Sequence, residues 1–299
     1  MRNADSWGAL EVRHVRAFAT VVDEGTFSAA ARALGYTQSA VSQQIGALER
    51  IVGAPILHRP PGGRRPLELT DAGRVVLKHA RPLLARVRAA EADVAALAGG
   101  EVGEVSVRTF QSFGGRLLPG VLAAFRARCA GVEVRIEEAL DSEALFGAVE
   151  SGEVDLSFAG YPLPEGPFAV RELLDDPYVL VTRRGDDVHG LGDLGGRRLL
   201  GIRGCQHTLA IEMQMIARGV APEAWARFDN NAIIQALVAS GEGVAIVPEL
   251  VLDTDRSGID VHPVPELPAR RLIAVWHRER TLSAAAREFV EAASEACAA

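Results

Sequence analysis

The chain is poor in cysteine: Cys129, Cys205 and Cys297 are the only three in 299 residues, odd in number and widely spaced. That spacing excludes a disulfide framework and fits a reducing, cytoplasmic setting. No Cys/His pair has zinc-ligand spacing, so no metal site is expected. No run approaches the roughly 18 uninterrupted apolar residues of a membrane span. Met1 to Leu10 carries Arg2, Asn3 and Asp5 and no apolar stretch, so a secretory signal is not expected either. Lysine is nearly missing: Lys78 is the only one, and almost all positive charge sits on arginine. The seven histidines are scattered, and no segment gathers a His/Asp/Ser or His/Glu set. Nothing argues for an enzyme, although such sets also assemble from distant residues.

What is present is ordinary globular material, 48% apolar and 24% charged. The length suits two or three folded units. The net charge of −7 hides an asymmetry, because the segment from Leu10 to Arg88 alone sums to +6. A basic head on an acidic body points to a polyanion as the head's partner.

The head reads as helices broken by glycine. Val12, Val15, Phe18, Val21 and Val22 recur at helical spacing up to Gly25. Thr26 to Leu34 forms a second short helix, ending at Gly35. Thr37 then caps a third, which turns Ala40, Val41, Ile45 and Leu48 inward. His58 to Pro66 is turn chemistry between apolar flanks, which predicts two short strands joined by a basic tip. From Thr70 a long helix runs to Leu97, with Pro82 inside it. Beyond Gly103 strands and helices alternate. Strands are predicted at Glu104–Thr109, Val132–Glu137, Val154–Phe158, Tyr178–Thr182, Arg198–Ile202, Gly243–Val247 and Leu272–His277. Helices fit between most of them, among them Gly115–Cys129, Ser142–Ser151, Leu209–Arg218 and Ala232–Ser240. The alternation indicates parallel α/β structure. Gly241-Glu242-Gly243 follows a helix and precedes a strand, the reverse of a nucleotide loop, and reads as a helix stop.

The segment TFSAAARALGYTQSAVSQQIGALE, from Thr26 to Glu49, has helix-turn-helix architecture. Its second helix offers Thr37, Gln38, Ser39, Ser42 and Gln43, short polar side chains suited to base edges and phosphates. An αα-hairpin with a polar outer face is the alternative. The arginine-rich tip that follows favours a winged helix-turn-helix.

Residues 10–88 resemble the N-terminus of LysR-type transcriptional regulators. The resemblance rests on LEVRHVRAFATVVDEGTFSAAARAL, TQSAVSQQIGALERIVGAPILHR and PLELTDAGRVVLKHAR. Ser39 stands where the family usually has proline, and Gln43 where arginine is frequent, so Gln43 lacks a long cationic contact. The resemblance implies groove-facing roles for Thr37, Gln38, Ser39, Ser42 and Gln43, phosphate-side roles for Ser28 and Arg32, and a wing carrying Arg59, Arg64 and Arg65. It implies three parts: a DNA-binding domain over 10–68, a dimerising linker helix over 69–99, and an effector domain over 103–299. The fold class is then α+β overall, with the effector domain a two-lobed α/β unit similar to periplasmic binding proteins. The linker makes its own case, since an apolar stripe this long must bury itself against something.

The C-terminal part resembles the family more loosely, through VSVRTFQSFGGRLLPGVLAAFRAR, VESGEVDLSFAG and ALVASGEGVAIVPE. In such folds ligands sit between lobes, at strand ends and helix N-termini. The matching positions are Gln111, Ser112, Phe113, Ser142, Gly160, Tyr161, Arg203, Gly204, Cys205, Gln206, Asn230 and Asn231. Simple capping is the other use of Ser112 and Ser142. Arg203, Ser112, Ser142, Asn230 and Asn231 suit a small carboxylate or similar polar anion. Cys205 lies beside Arg203 and His207, which favour thiolate, but the following helix offers no second cysteine. The expected function is a DNA-binding regulator modulated by a small-molecule effector, with no other cofactor. Its expected partners are a pseudo-palindromic double-stranded site, further copies of itself as a dimer or tetramer, and RNA polymerase. The alternatives are a redox-responsive regulator using Cys205, and a solute-binding or enzymatic protein whose head only dimerises.

Overall fold

Glycine punctuation sets the first three helices. α1 (Val12–Glu24), α2 (Phe27–Leu34) and α3 (Gln38–Val52) each stop at a glycine with positive φ: Gly25 at 69°, Gly35 at 67° and Gly53 at 76°. Their inward faces bury Phe18, Val21, Ala30, Ala31, Val41, Ile45 and Leu48, the stripes that the spacing predicts. Two short strands follow, β1 (Leu57–His58) and β2 (Glu68–Leu69), paired antiparallel with Leu57 opposite Leu69. The computed structural model describes residues 6–58, 67–97, 103–139, 141–203, 205–220 and 222–298.

α4 (Asp71–Leu97) is 27 residues long, roughly 40 Å at the α-helical rise. It runs through Pro82 without stopping. Thr70 anchors its start: the hydroxyl accepts from the Gly73 amide at 3.0 Å and donates to the Pro55 carbonyl at 2.7 Å. Gly73 passes so close to the main chain that a Cβ there would lie 2.0 Å from the Ile56 carbonyl oxygen. Ala80 and Leu84 pack on Val15 and Ala19, while Val75 and Leu83 stay exposed.

Contacts divide the chain into two compact units, Met1–Glu91 with Ser151–Glu153, and Ala92–Glu150 with Val154–Ala299. The second holds two five-stranded sheets. Its elements are β3 (Gly103–Thr109), α5 (Gln111–Arg116), α6 (Leu118–Arg126), β4 (Val132–Glu138), α7 (Ser142–Ser151), β5 (Leu156–Gly160), β6 (Phe168–Asp176), β7 (Tyr178–Arg183) and β8 (Arg198–Ile202). Then come α8 (Gln206–Ala217), β9 (Ala224–Phe228), α9 (Asn231–Ser240), β10 (Val244–Pro248), β11 (Ile259–Pro263), β12 (Arg270–His277) and α10 (Ala284–Ala298). One sheet has the order β4-β3-β5-β12-β6 and the other β11-β7-β10-β8-β9.

The parallel expectation holds where a helix carries the chain back: β3 with β4 and β5, and β8 with β9 and β10. It fails at β12, antiparallel to β5 and β6, and at β7, antiparallel to β10 and β11. The chain crosses between lobes twice, after β6 and before β12, and the crossing strands reverse the local direction. The sheets are therefore mixed. All seven predicted strands are present. The three unpredicted ones, β6, β9 and β11, are edge strands without a continuous apolar run. The helix predicted over Gly115–Cys129 is two helices, because the chain breaks at Leu117 and Pro119 starts α6. One lobe's core stacks Phe113 on Phe158 at 4.0 Å and sets Phe125 edge-on to Phe289 on α10.

Candidate nucleic-acid interface and effector cleft

In the first unit, Thr26 caps α2 by accepting from the Ala29 amide at 3.1 Å, and Thr37 caps α3 by accepting from Ala40 at 3.2 Å. The turn between them needs Gly35 in the left-handed region. With Val41, Ile45 and Leu48 buried, helical spacing leaves Thr37, Gln38, Ser39 and Gln43 exposed and Ser42 half-buried. Ser28 and Arg32 are exposed on α2. The Ser28 hydroxyl donates to Gln38 Oε1 at 3.0 Å, and the Thr37 and Ser39 hydroxyls lie 2.9 Å apart. All the expected contact residues of α2 and α3 thus lie on or beside one polar patch. Arg59, Arg64 and Arg65 lie outside the described residues.

In the second unit a cleft of about 180 Å³ opens between the two lobes. Gln111, Ser112, Arg203, Cys205 and Asn231 line it, together with Phe110, Glu138, Tyr178, His207, Thr208, Asp229 and Arg270, among others. Three polar links cross it. Asn231 Nδ2 donates to Gln111 Oε1 at 2.8 Å. His207 Nε2 donates to the Tyr161 carbonyl at 2.9 Å. Asp176 accepts from the Leu250 amide at 3.1 Å and from Arg270 Nε at 3.1 Å, while Arg270 also reaches Ser112 Oγ at 3.1 Å.

Electrostatics follow from this geometry. Burial pushes the Asp176 carboxyl above its ordinary range, against the pull of Arg270 and the Leu250 amide. Burial also pushes the Tyr178 phenol up to about 12. Burial raises the Cys205 thiol as well, but hydrogen bonds to His207 and Thr208 outweigh it and bring the thiol down to about 7. At the exposed rim, Arg203 Nε meets Asp229 Oδ1 at 3.0 Å.

The remaining expected residues do other work. Phe113 is fully buried in the core. Ser142 opens α7, but Asp141 caps it by accepting from Ala144 at 2.7 Å. Gly160 permits close approach, since a Cβ there would lie 2.8 Å from His207 Nε2. The Tyr161 ring lies under the Arg271 guanidinium at 4.5 Å. Asn230 caps α9 by accepting from Ala232 at 2.8 Å, and Gln206 is exposed on the first turn of α8. Gly204 lies outside the described residues. Sequence reasoning missed Arg270, Glu138 and Tyr178. No local motif marks them, because Arg270 meets its partner 94 residues away.

A match to the family model "Bacterial regulatory helix-turn-helix protein, lysR family" covers residues 12–74, and one to "LysR substrate binding domain" covers 98–298. The HTH-type transcriptional regulator CbbR of Rhodospirillum rubrum is 30% identical over 298 residues, covering 96% of this chain and 97% of that one. A full-length OxyR from Pseudomonas aeruginosa shares the fold with a TM-score of 0.75 at 19% identity, covering 96% and 94% of the two chains. Full-length CbnR in complex with its target DNA shares it with a TM-score of 0.65 at 23% identity, covering 96% and 100%. A winged helix-turn-helix joined to a two-lobed effector domain is the architecture of a ligand-responsive transcriptional regulator. The chain belongs to the LysR family of transcriptional regulators. The redox alternative is not favoured: no disulfide joins any of the three cysteines, and no second cysteine lines the cleft among the described residues. Among those residues no helix is long and apolar enough to cross a membrane.

Proposed function

We propose that α3 enters the major groove and reads bases through Gln38, Ser39 and Gln43, with Thr37 and Ser42 beside them. Ser28 and Arg32 hold the flanking phosphates, and Arg59, Arg64 and Arg65 on the wing add phosphate contacts. Two copies pair through α4, whose exposed Val75 and Leu83 need cover. α8 carries a second exposed stripe, Leu209, Met213 and Ile216, which supports assembly beyond a dimer. Two-fold symmetry then calls for a pseudo-palindromic site. A small effector in the cleft replaces the links between lobes and shifts the population of lobe arrangements, which requires unequal affinity for them. The shift changes how the DNA heads are presented and how the complex meets RNA polymerase.

The observation that carries this reading is the doubly capped α2–α3 pair, with its polar patch turned outward on a head of charge +6. Fluorescence anisotropy tests it, using the DNA beside the protein's own gene and random DNA across a salt series. Preference for the specific DNA that persists as salt rises is expected. Equal, salt-labile binding to both would reduce the interaction to charge attraction.

A further inference from the structure

We infer that the effector carries a protonated amine or guanidinium together with a second N–H donor, and not a free carboxylate. The inference rests on the reading of the cleft as the effector site.

The charges lining the cleft decide the sign. Arg270 is locked to Asp176, with the two side chains 7% and 0% exposed. Turning Arg270 toward a ligand anion would strand a buried carboxylate, the costliest way to break such a pair. Arg203 is held by Asp229 at 3.0 Å. His207 is engaged by the Tyr161 carbonyl and the Cys205 thiol. An incoming anion meets no unpaired cation among the described lining residues.

What is left over accepts hydrogen bonds. Glu138, the last residue of β4, lines the cleft, is exposed, and has no partner among the described residues. Arg203 and Arg270 are each paired with a carboxylate, Asp229 and Asp176, so Glu138 is the lining carboxylate left without a cation among the described residues. Asn231 lines the cleft with its Oδ1 buried and unpartnered. Its orientation is dictated by its neighbours. The Asn231 backbone amide donates to Gln111 Oε1 at 3.4 Å, so Gln111 must present oxygen there, and only Asn231 Nδ2 can share it. Oδ1 is thereby left without a donor, a deficit that a ligand N–H removes. The cleft volume of about 180 Å³ suits a small molecule. Phe110, Ile202, Ile246 and Val247 on the wall suit a short alkyl stem.

The test uses the full-length protein with agmatine, putrescine and succinate as probes. Isothermal titration measures affinity. Peptide mass spectrometry follows iodoacetamide alkylation of Cys205, which reports occupancy of the cleft itself. Agmatine or putrescine should bind and slow alkylation. Glu138→Gln should weaken that binding by about tenfold, the scale of one lost charge-assisted hydrogen bond, and leave the Tm unchanged. Protection by succinate without protection by either amine would overturn the inference and leave the cleft as the effector site. Amine binding indifferent to Glu138→Gln would overturn it too. Failure of every probe to bind or protect Cys205 would overturn both the inference and the reading of the cleft.

Discussion

Arg270 and Asp176 are cross-strand partners on β12 and β6, and their buried ion pair sits where the chain leaves one lobe and re-enters it. The Leu250 amide and the Ser112 hydroxyl complete the cluster, so this single pair ties both lobes to their crossings. Arg270→Met strands the carboxylate and should cost about 3–5 kcal/mol. The loss should depend on pH. Burial already raises the Asp176 carboxyl, and Arg270 is what opposes that rise. Without Arg270 the carboxyl rises further, so the folded state takes up a proton more readily than the unfolded chain. The variant should then lose most stability near neutrality and least at about pH 4, where the carboxyl protonates in both states. Urea unfolding across that range checks this, and Asp176→Asn added to Arg270→Met should restore part of the loss at neutrality. A loss equal at both ends of the range would contradict the assigned cause.

Gly73 sits where α4 crosses the main chain of Ile56. Alanine favours a helix over glycine by about 1 kcal/mol, so on propensity alone Gly73→Ala would stabilise α4. The Cβ, however, would lie 2.0 Å from the Ile56 carbonyl oxygen, which is backbone and cannot swing aside. Overpacking of this kind costs about 1–3 kcal/mol and should win. Gly73→Ala is expected to lower the Tm and weaken DNA binding, because the Thr70 cap and the β1–β2 pairing share that segment. Differential scanning calorimetry of the full chain decides between clash and propensity.

Much of this architecture can be read from the chain because its signals are local. Thr26, Thr37 and the glycines at 25, 35 and 53 mark helix ends by chemistry confined to a few residues. The buried strands show as apolar runs. The edge strands β6, β9 and β11 do not, since each is mostly half-buried and carries charged or polar residues among its apolar ones. The cleft is legible only in part. Ser112, Arg203 and Cys205 sit at helix starts or strand ends, where resemblance points. Arg270 and Glu138 enter through tertiary pairing or its absence, and a lone glutamate at a strand end looks like any solvated residue.

On the polar patch, Gln38 and Arg32 should separate two kinds of contact. Ser28 donates to Gln38 Oε1 and steadies the amide, whose Nε2 has no partner among the described residues. Gln38→Ala should relax preference at one base position by about 1–3 kcal/mol and leave binding to random DNA nearly unchanged. Arg32→Ala should weaken binding to every sequence and lower the salt slope by about 1. Anisotropy titrations on specific and random duplexes at several salt concentrations resolve the two. Equal losses on both DNAs for Gln38→Ala would remove it as a base reader.

Cys205 should behave unlike the other thiols. Burial alone would raise it, as it raises Cys297 to about 11, yet hydrogen bonds to His207 and Thr208 bring Cys205 to about 7. Alkylation by iodoacetamide should therefore climb through about pH 7 at Cys205 and stay slow at Cys297 until far higher pH. His207→Ala removes the strongest single hydrogen bond that lowers the thiol, so the Cys205 profile should move upward. The sign for stability follows from the same shift. The folded thiol titrates below the unfolded value of 9.0, so its stabilising contribution is complete above pH 9, declines as pH falls toward about 7, and is absent below that. Peptide-resolved alkylation rates and urea midpoints between pH 6 and 9.5 measure both effects on one protein. A Cys205 profile centred near the unfolded value of 9.0, unmoved in His207→Ala, would mean that the histidine does not hold the thiolate.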